Sequence, residues 1–158
     1  MAWTDSRVFR AYVTDLVDNT TAMDWVTDAS VKAALYNNTT APDKDATSAN
    51  SAYNVSTWTS TNEVSDGANW GAGGVAVTGR TITNPSSGII QMSAANTPST
   101  TSTATLAAVF GCLVYDDTIA SPVADQGFCF NYFGGTNSVT SGTFTIVWHA
   151  NGVFRATV

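Results

Sequence analysis

Hydrophobic side chains near the start of the chain recur at the spacing of an α-helix. The apolar positions lie three or four residues apart, with polar and charged residues on the other face: Val8, Phe9, Tyr12, Val13, Leu16 and Val17. This period predicts one helix over about residues 5–18. We expect Thr4 or Asp5 to cap its first turn, and Val13 and Leu16 to pack in the core.

From Val31 onward the pattern changes to short apolar or alternating runs separated by Gly, Asn, Pro and Ser. Such runs are typical of an all-β sandwich or barrel, and their Thr, Val, Ile and aromatic residues suit half-buried strands. The predicted strands lie near residues 31–36, 73–83, 88–94, 104–115, 127–133, 143–149 and 152–158. We therefore predict a mainly β fold, an antiparallel β-sandwich of Ig-like or jelly-roll-like form with one N-terminal α-helix.

The last two predicted strands flank the dipeptide Asn151-Gly152. Asn-Gly accepts the positive φ angles of a tight type I′ turn, which joins neighbouring antiparallel strands. We expect residues 143–149 and 152–158 to pair as a terminal hairpin.

Neither period persists between residues 37 and 72, a segment rich in Thr, Ser, Asn, Asp and Ala. Loops longer than about 12 to 15 residues are uncommon in compact domains unless they bind something or are disordered. One interpretation is a contact surface that presents the scattered Tyr53, Trp58 and Trp70. The other is a peripheral hairpin near residues 55–64 whose tryptophans cover the edge of the core.

Length and composition narrow the class of protein. The length of 158 residues predicts a single domain that spans residues 1–158. The 44% content of hydrophobic residues argues against broad disorder. Six basic against twelve acidic residues give a net charge of −6, so we expect no nucleic-acid partner. No apolar run approaches the ~18 residues of a membrane span, so no membrane partner is expected. The first residues lack the pattern of a secretory signal, so we expect no export by that route.

Side chains that could carry chemistry are few. His149 is the one histidine, and no nucleophile elbow or zinc-protease motif accompanies it. The acidic pairs Asp43/Asp45 and Asp116/Asp117 lie in turn contexts, where Asp caps its own backbone. A calcium ion at either pair is the alternative. We expect no catalytic residue, no metal ion and no cofactor.

The two cysteines, Cys112 and Cys129, lie in apolar runs. We interpret them as small buried hydrophobic residues, with a single cross-strand disulfide as the alternative. A lectin-like use of Trp58, Trp70 or Trp148 as sugar-stacking platforms is a further hypothesis, although buried aromatic residues are commoner in β-sandwiches.

An ordered series of short motifs follows the N-terminal helix along almost the entire chain. The motifs are Met23-Asp24-Trp25, Val31-Lys32-Ala33-Ala34-Leu35-Tyr36 followed by Pro42-Asp43, Trp70-Gly71-Ala72-Gly73-Gly74-Val75, Val77-Thr78-Gly79-Arg80-Thr81, Val114-Tyr115-Asp116-Asp117-Thr118, and Ser141-Gly142-Thr143-Phe144-Thr145-Ile146-Val147-Trp148. In this order they resemble a family of small virion proteins of tailed bacteriophages, particularly those that infect actinobacteria.

The resemblance implies a non-enzymatic structural protein of the virion, assembled in the host cytoplasm. It implies a place in the head, where such minor capsid proteins decorate or cement the lattice of the major capsid protein. By analogy it also implies a homo-oligomer, of which a trimer is one form. A minor tail or fibre component is the alternative within the virion, and a carbohydrate-binding module is the alternative from another class.

The candidate interface residues are aromatic. Desolvated aromatic side chains within a polar rim are the usual anchors of protein interfaces. We therefore name Tyr53, Trp58 and Trp70 in the long polar segment as the first candidates, and Trp3 with Phe9 near the N-terminus as the second.

Overall fold

The structure, a computed structural model, describes residues 2–21, 24–27 and 30–157. Its elements in chain order are β1 (Arg7–Val8), α1 (Arg10–Val17), β2 (Val31–Tyr36), α2 (Ser48–Ser51), a 3₁₀ helix (Ser56–Trp58), β3 (Val75–Ala76), β4 (Thr81–Thr83), β5 (Ile89–Ser93), β6 (Thr97–Pro98), β7 (Ala104–Asp116), β8 (Gly127–Gly142), β9 (Thr145–Ile146) and β10 (Phe154–Thr157). Met23 of the first motif and Val158 of the last predicted strand lie outside the described residues.

Three antiparallel sheets pack as a sandwich, which confirms the predicted mainly β fold class with one short N-terminal helix. The five-stranded sheet has the order β1-β8-β7-β2-β3, the second has the order β10-β5-β4, and the third pairs β6 with β9. The central β2–β7 ladder runs without interruption from Val31 opposite Asp116 to Tyr36 opposite Gly111.

Large aromatic side chains fill one part of the core. Trp3, Phe9, Tyr36, Trp58 and Phe130 contact one another with ring centroids 5.1 to 6.2 Å apart, mostly edge to face. Each such pair contributes about 0.5–1.5 kcal/mol beyond the burial of its area. This aromatic cluster joins the N-terminus, β2, the 3₁₀ helix and β8.

The helix begins five residues later than predicted. Residues 7 and 8 are extended because they pair with Phe130 and Cys129 of β8, so α1 starts at Arg10. Phe9 occupies the cap position without a side-chain hydrogen bond, and the prediction that Thr4 or Asp5 caps the helix is wrong. The Arg10 N–H is satisfied instead by the carbonyl oxygen of Lys44, at 2.9 Å.

One turn of α1 also packs differently from the prediction. Tyr12 is buried against Phe128, with ring centroids 5.0 Å apart. Val13 and Leu16 are 43% and 46% exposed, so their assignment to the core is wrong. Because the helix is short and packs on the core mainly through Tyr12, Val13 and Leu16 lie on the side that faces solvent.

The terminal hairpin does not form, although both strands exist in shortened form. β9 pairs with β6, and β10 pairs with β5. Gly152 has a φ of +84°, but Asn151 does not share the positive φ that a type I′ turn needs at both central residues. After the turn the Val153 N–H donates to the carbonyl oxygen of Met92, at 2.8 Å, which directs the chain onto β5.

The long polar segment folds over the core. Thr47 caps α2 by accepting from the Asn50 N–H, and single bridges join Tyr36 to Glu63 and Asp66 to Trp70. The structure shows no hairpin at residues 55–64, all of which are described. The alternative interpretation was right in one respect, since Trp58 and Trp70 belong to the core.

Candidate functional site

Four of the five predicted interface residues have no exposed surface. Trp3, Phe9, Trp58 and Trp70 are each 0% exposed. The Trp3 indole N–H donates to the carbonyl oxygen of Asn37 at 2.9 Å, and that of Trp70 donates to Ala33 at 3.2 Å. These side chains therefore offer no area to a partner, and Trp58 and Trp70 offer no stacking face to a sugar, which corrects the prediction for them.

Tyr53, the fifth candidate, is half-buried and tightly held. Its ring stacks on Tyr115 with centroids 4.8 Å apart, and its hydroxyl donates to Glu63 at 2.8 Å. The Gly73 N–H donates to the other carboxylate oxygen at 2.7 Å. Burial raises the pKa of Glu63 despite these two hydrogen bonds, which lower it. Burial and the Glu63 hydrogen bond also raise the pKa of Tyr53. An interface role for Tyr53 stays a prediction.

Three adjoining cavities form a groove along the outer edge of β8. Their volumes are about 270, 140 and 400 Å³. Ser6 and Asn131 line both the first and the second, while residues 132–133 and 146–147 line both the second and the third. The cavities thus adjoin one another along shared walls, and together we call them the edge groove.

The edge groove lies where strands from all three sheets end. On one side, β1 covers only two residues of the sixteen-residue β8, Phe130 and Cys129. On the other side, the strand pairs that the structure describes join β9 to β6 and β10 to β5. Short edge strands and an uncovered strand edge therefore face each other across the groove. Uncovered strand edges are the usual sites at which further chains add.

The walls of the edge groove combine aromatic and aliphatic side chains with polar groups. Tyr132 stacks on Trp3 with centroids 6.4 Å apart, and the Trp148 indole donates to the Thr97 hydroxyl at 3.1 Å. Because core contacts hold these rings, the walls are preformed. Val147 projects from the rim with 71% of its surface exposed.

The charges at the edge groove differ from those of the whole chain. In the part of the chain that the structure describes, no Asp or Glu lines the three cavities, whereas Arg7 and Arg155 line one end. Arg7 donates to Asp5, just outside the groove, at 2.7 Å, and Arg155 donates to the Asn151 side-chain oxygen at 2.7 Å. In a chain with a net charge of −6, this end of the groove thus carries Arg155 beside a neutral side chain and Arg7 in an ion pair.

His149 lies in the middle cavity, where its Nδ1 accepts from the Asn151 N–H at 3.1 Å. The acidic pairs cap turns as predicted: Asp43 accepts from the Asp45 N–H at 2.9 Å, and Asp116 accepts from the Thr118 N–H at 2.9 Å. Within residues 2–21, 24–27 and 30–157, no three His, Cys, Asp or Glu side chains lie close enough to share a metal ion.

Both cysteines are buried and free, which confirms their interpretation as small core residues. They lie diagonally on adjacent strands, Cys112 opposite Asn131 and Cys129 opposite Val114. Burial raises the pKa of the Cys129 thiol to about 12 and that of Cys112 well above its usual value. Both thiols are therefore protonated and unreactive near neutral pH.

The fold and the site together define an antiparallel β-sandwich with a preformed groove at an open strand edge. No protein-family model matches the sequence, and neither a curated protein nor a solved structure matches the chain significantly. No helix in the described part of the chain is long and apolar enough to cross a membrane.

Proposed function

We propose that this chain is a non-enzymatic structural protein of a tailed-phage virion, and that it binds the outer face of the capsid as a decoration or cement protein. The observation that carries the proposal is the ordered motif series from Met23-Asp24-Trp25 to Trp148. Its partner is the lattice of the major capsid protein.

The physical character of the chain supports this proposal. Only 11% of its residues are charged, against about 25% in an average globular protein, and Thr, Ser and Asn supply about a third of the sequence. Interface cores are depleted in charged residues and enriched in aromatic ones. The preformed aromatic walls of the edge groove, beside an uncovered strand edge, provide such a surface.

The test is binding to purified capsid shells that lack this chain. We expect saturable co-sedimentation with the shells, and cryo-electron microscopy density that repeats on the outer face of the lattice. An unrelated β-sandwich domain of similar net charge is the control for nonspecific association. Failure of the chain to bind shells at any concentration would contradict the proposal.

The same particles separate the alternative within the virion. A minor tail or fibre component predicts density on the tail and no binding to isolated shells. Sedimentation of the free chain measures its oligomeric state, for which the proposal expects a homo-oligomer, with a trimer matching a three-fold position of the lattice. If the free chain is a monomer and also binds shells as single copies, the expected trimer is wrong.

A further inference from the structure

We propose that the edge groove binds an extended, acidic segment of a partner chain, which adds as a strand to the uncovered edge of β8. The identity of the partner, the capsid shell protein, rests on the proposed function. The mode of binding rests on the geometry of the groove itself.

The first argument is the backbone of β8. β1 runs antiparallel along β8 but ends its pairing at Arg7 opposite Phe130. The backbone leaves the edge there, because Trp3 is buried in the core. Beyond this point the Ser6 hydroxyl accepts from the Tyr132 N–H at 2.9 Å. β8 continues to Gly142. An antiparallel segment placed in line with β1 would therefore continue the sheet.

The second argument is the opposite wall. An extended segment directs alternate side chains to opposite sides, so one set would face Ile146, Val147 and Trp148 across the groove. Val147 is 71% exposed, and Phe133 and Phe144 beside it are half-buried. Main-chain pairing along one wall and apolar side-chain contacts along the other are the two components of recognition by strand addition.

The third argument is charge. Arg7 and Arg155 are two of the six basic residues of the chain. They line the same cavity, and among the described residues no acidic side chain lines it. Because Arg7 already pairs with Asp5 at 2.7 Å, a carboxylate on the bound segment would complement chiefly Arg155, which donates to the neutral Asn151 side chain and can bind a carboxylate in bidentate fashion. A basic ligand would be repelled by the arginines. A nucleic acid would find too few positive charges here to neutralise its phosphates. The occupant that fits is an acidic polypeptide segment.

Substitutions in the groove test the site against matched substitutions elsewhere. We expect Val147→Glu, and separately Arg7→Glu with Arg155→Glu, to weaken binding to capsid shells at least about tenfold, as truncation of an interface anchor does. The matched controls are Val17→Glu and Arg10→Glu on α1, whose side chains are also exposed. Urea midpoints equal to that of the wild type establish that each variant is folded. Shell binding that is unchanged in both groove variants would overturn the proposal.

Crosslinking identifies the occupant and separates the two proposals. Because Cys112 and Cys129 are buried with raised pKa values, Val147→Cys introduces the accessible thiol for a photo-crosslinker, with Val17→Cys as its control. On whole particles we expect crosslinks to one acidic segment of the shell protein. A crosslink to an acidic segment of a tail protein would refute the capsid assignment and keep the groove. Crosslinks to a second copy of this chain or to a basic segment would overturn the groove proposal. A crosslinking yield that is equal for Val147→Cys and Val17→Cys would overturn it as well.

Discussion

The β7–β8 ribbon has two halves that differ in burial and in the regularity of their strand pairing. We call residues 111–116 with 127–132 the inner half, and residues 104–110 with 133–142 the outer half. In the inner half every residue of β7 is buried, and the pairing runs in step from Gly111 to Val114, with one register shift between Val114 and Tyr115. In the outer half buried and exposed positions alternate, and register shifts interrupt the ladder three times between Ala104 and Gly111.

The difference shows what each half depends on. The inner half is packed on both faces, so a shift of one residue would misplace buried side chains and the register is strongly specified. The outer half is packed on one face and tolerates bulges, which occur at sheet edges and beside functional sites. The edge groove runs along β8 past the end of β1, from Cys129 in the inner half to Asn137 in the outer half. Stability is thus concentrated in the inner half, and the exposed edge belongs mainly to the outer half.

The largest effect that this comparison predicts is at Trp58, whose ring packs on Phe130 in the inner half with centroids 6.0 Å apart. We expect Trp58→Ala to lower the free energy of unfolding by about 3–5 kcal/mol because it empties a fully buried site. Phe144→Ala, at a half-buried ring 6.5 Å from Phe133 in the outer half, should cost roughly 2 kcal/mol. Urea denaturation measures both. Equal losses would refute the division into two halves.

The second effect concerns glycines, one in each half. A Cβ at Gly111 would lie 2.4 Å from the Asn131 carbonyl oxygen and 2.5 Å from the Trp3 ring. Gly111→Ala should therefore destabilise the fold by about 1–3 kcal/mol through overpacking. A Cβ at Gly134 would meet no atom within 4 Å, and its φ of +79° predicts a loss of only about 1 kcal/mol for Ala. Thermal unfolding of the two variants compares them, and a larger loss at Gly134 would contradict this account.

A third effect concerns pH and the Tyr53–Glu63 pair, which lies against Tyr115 of the inner half. Burial raises the pKa of Glu63 in the folded chain above its usual value of 4.5, so the folded state binds the proton more tightly than the unfolded state. The stability that protonation of Glu63 contributes is therefore full below pH 4.5 and is lost as pH rises through the raised pKa.

Comparison of unfolding free energies between pH 4.5 and pH 7 tests this sign. Relative to Glu63→Gln, the wild type should lose stability as the pH rises across that window. Asp66→Asn is the control, since hydrogen bonds from Thr105 and Asn69 lower the pKa of Asp66 and its contribution should change only at lower pH. A wild type that gains stability relative to Glu63→Gln over the window would show that the carboxylate is well solvated.

Strands of the inner half could be predicted closely from the sequence. The predicted strands 31–36 and 104–115 match β2 and β7 to within one residue, because continuous apolar runs between turn residues mark buried strands locally. β8 is longer than the predicted strand 127–133, because it continues through Gly134 and Gly135 to Gly142. In the structure both glycines have positive φ angles, and they shift the register within the strand without ending it.

The edge groove could not be predicted in the same way. Its walls come from segments far apart in sequence, and the partner of β10 is β5 and not β9, a choice that tertiary packing makes and Asn151-Gly152 does not reveal. The aromatic residues of segment 37–72 show no period, so their burial had no local signal.

The smallest effect is expected at the hydroxyl groups that replace ladder bonds in the outer half. The Ser138 hydroxyl accepts from the Ala108 N–H at 3.1 Å, at a residue whose φ is +56°, and the Thr105 hydroxyl accepts from the Ser141 N–H at 3.1 Å. We expect Ser138→Ala to cost about 0.5–1 kcal/mol, the net value of one hydrogen bond, and Ser138→Thr, which keeps the hydroxyl, to cost less. Amide exchange should locate the loss at Ala108 and its neighbours and leave residues 111–116 protected. Exchange that accelerates equally in both halves would mean that the ribbon opens as one unit, and the outer half could then not yield locally when a partner strand adds to its edge.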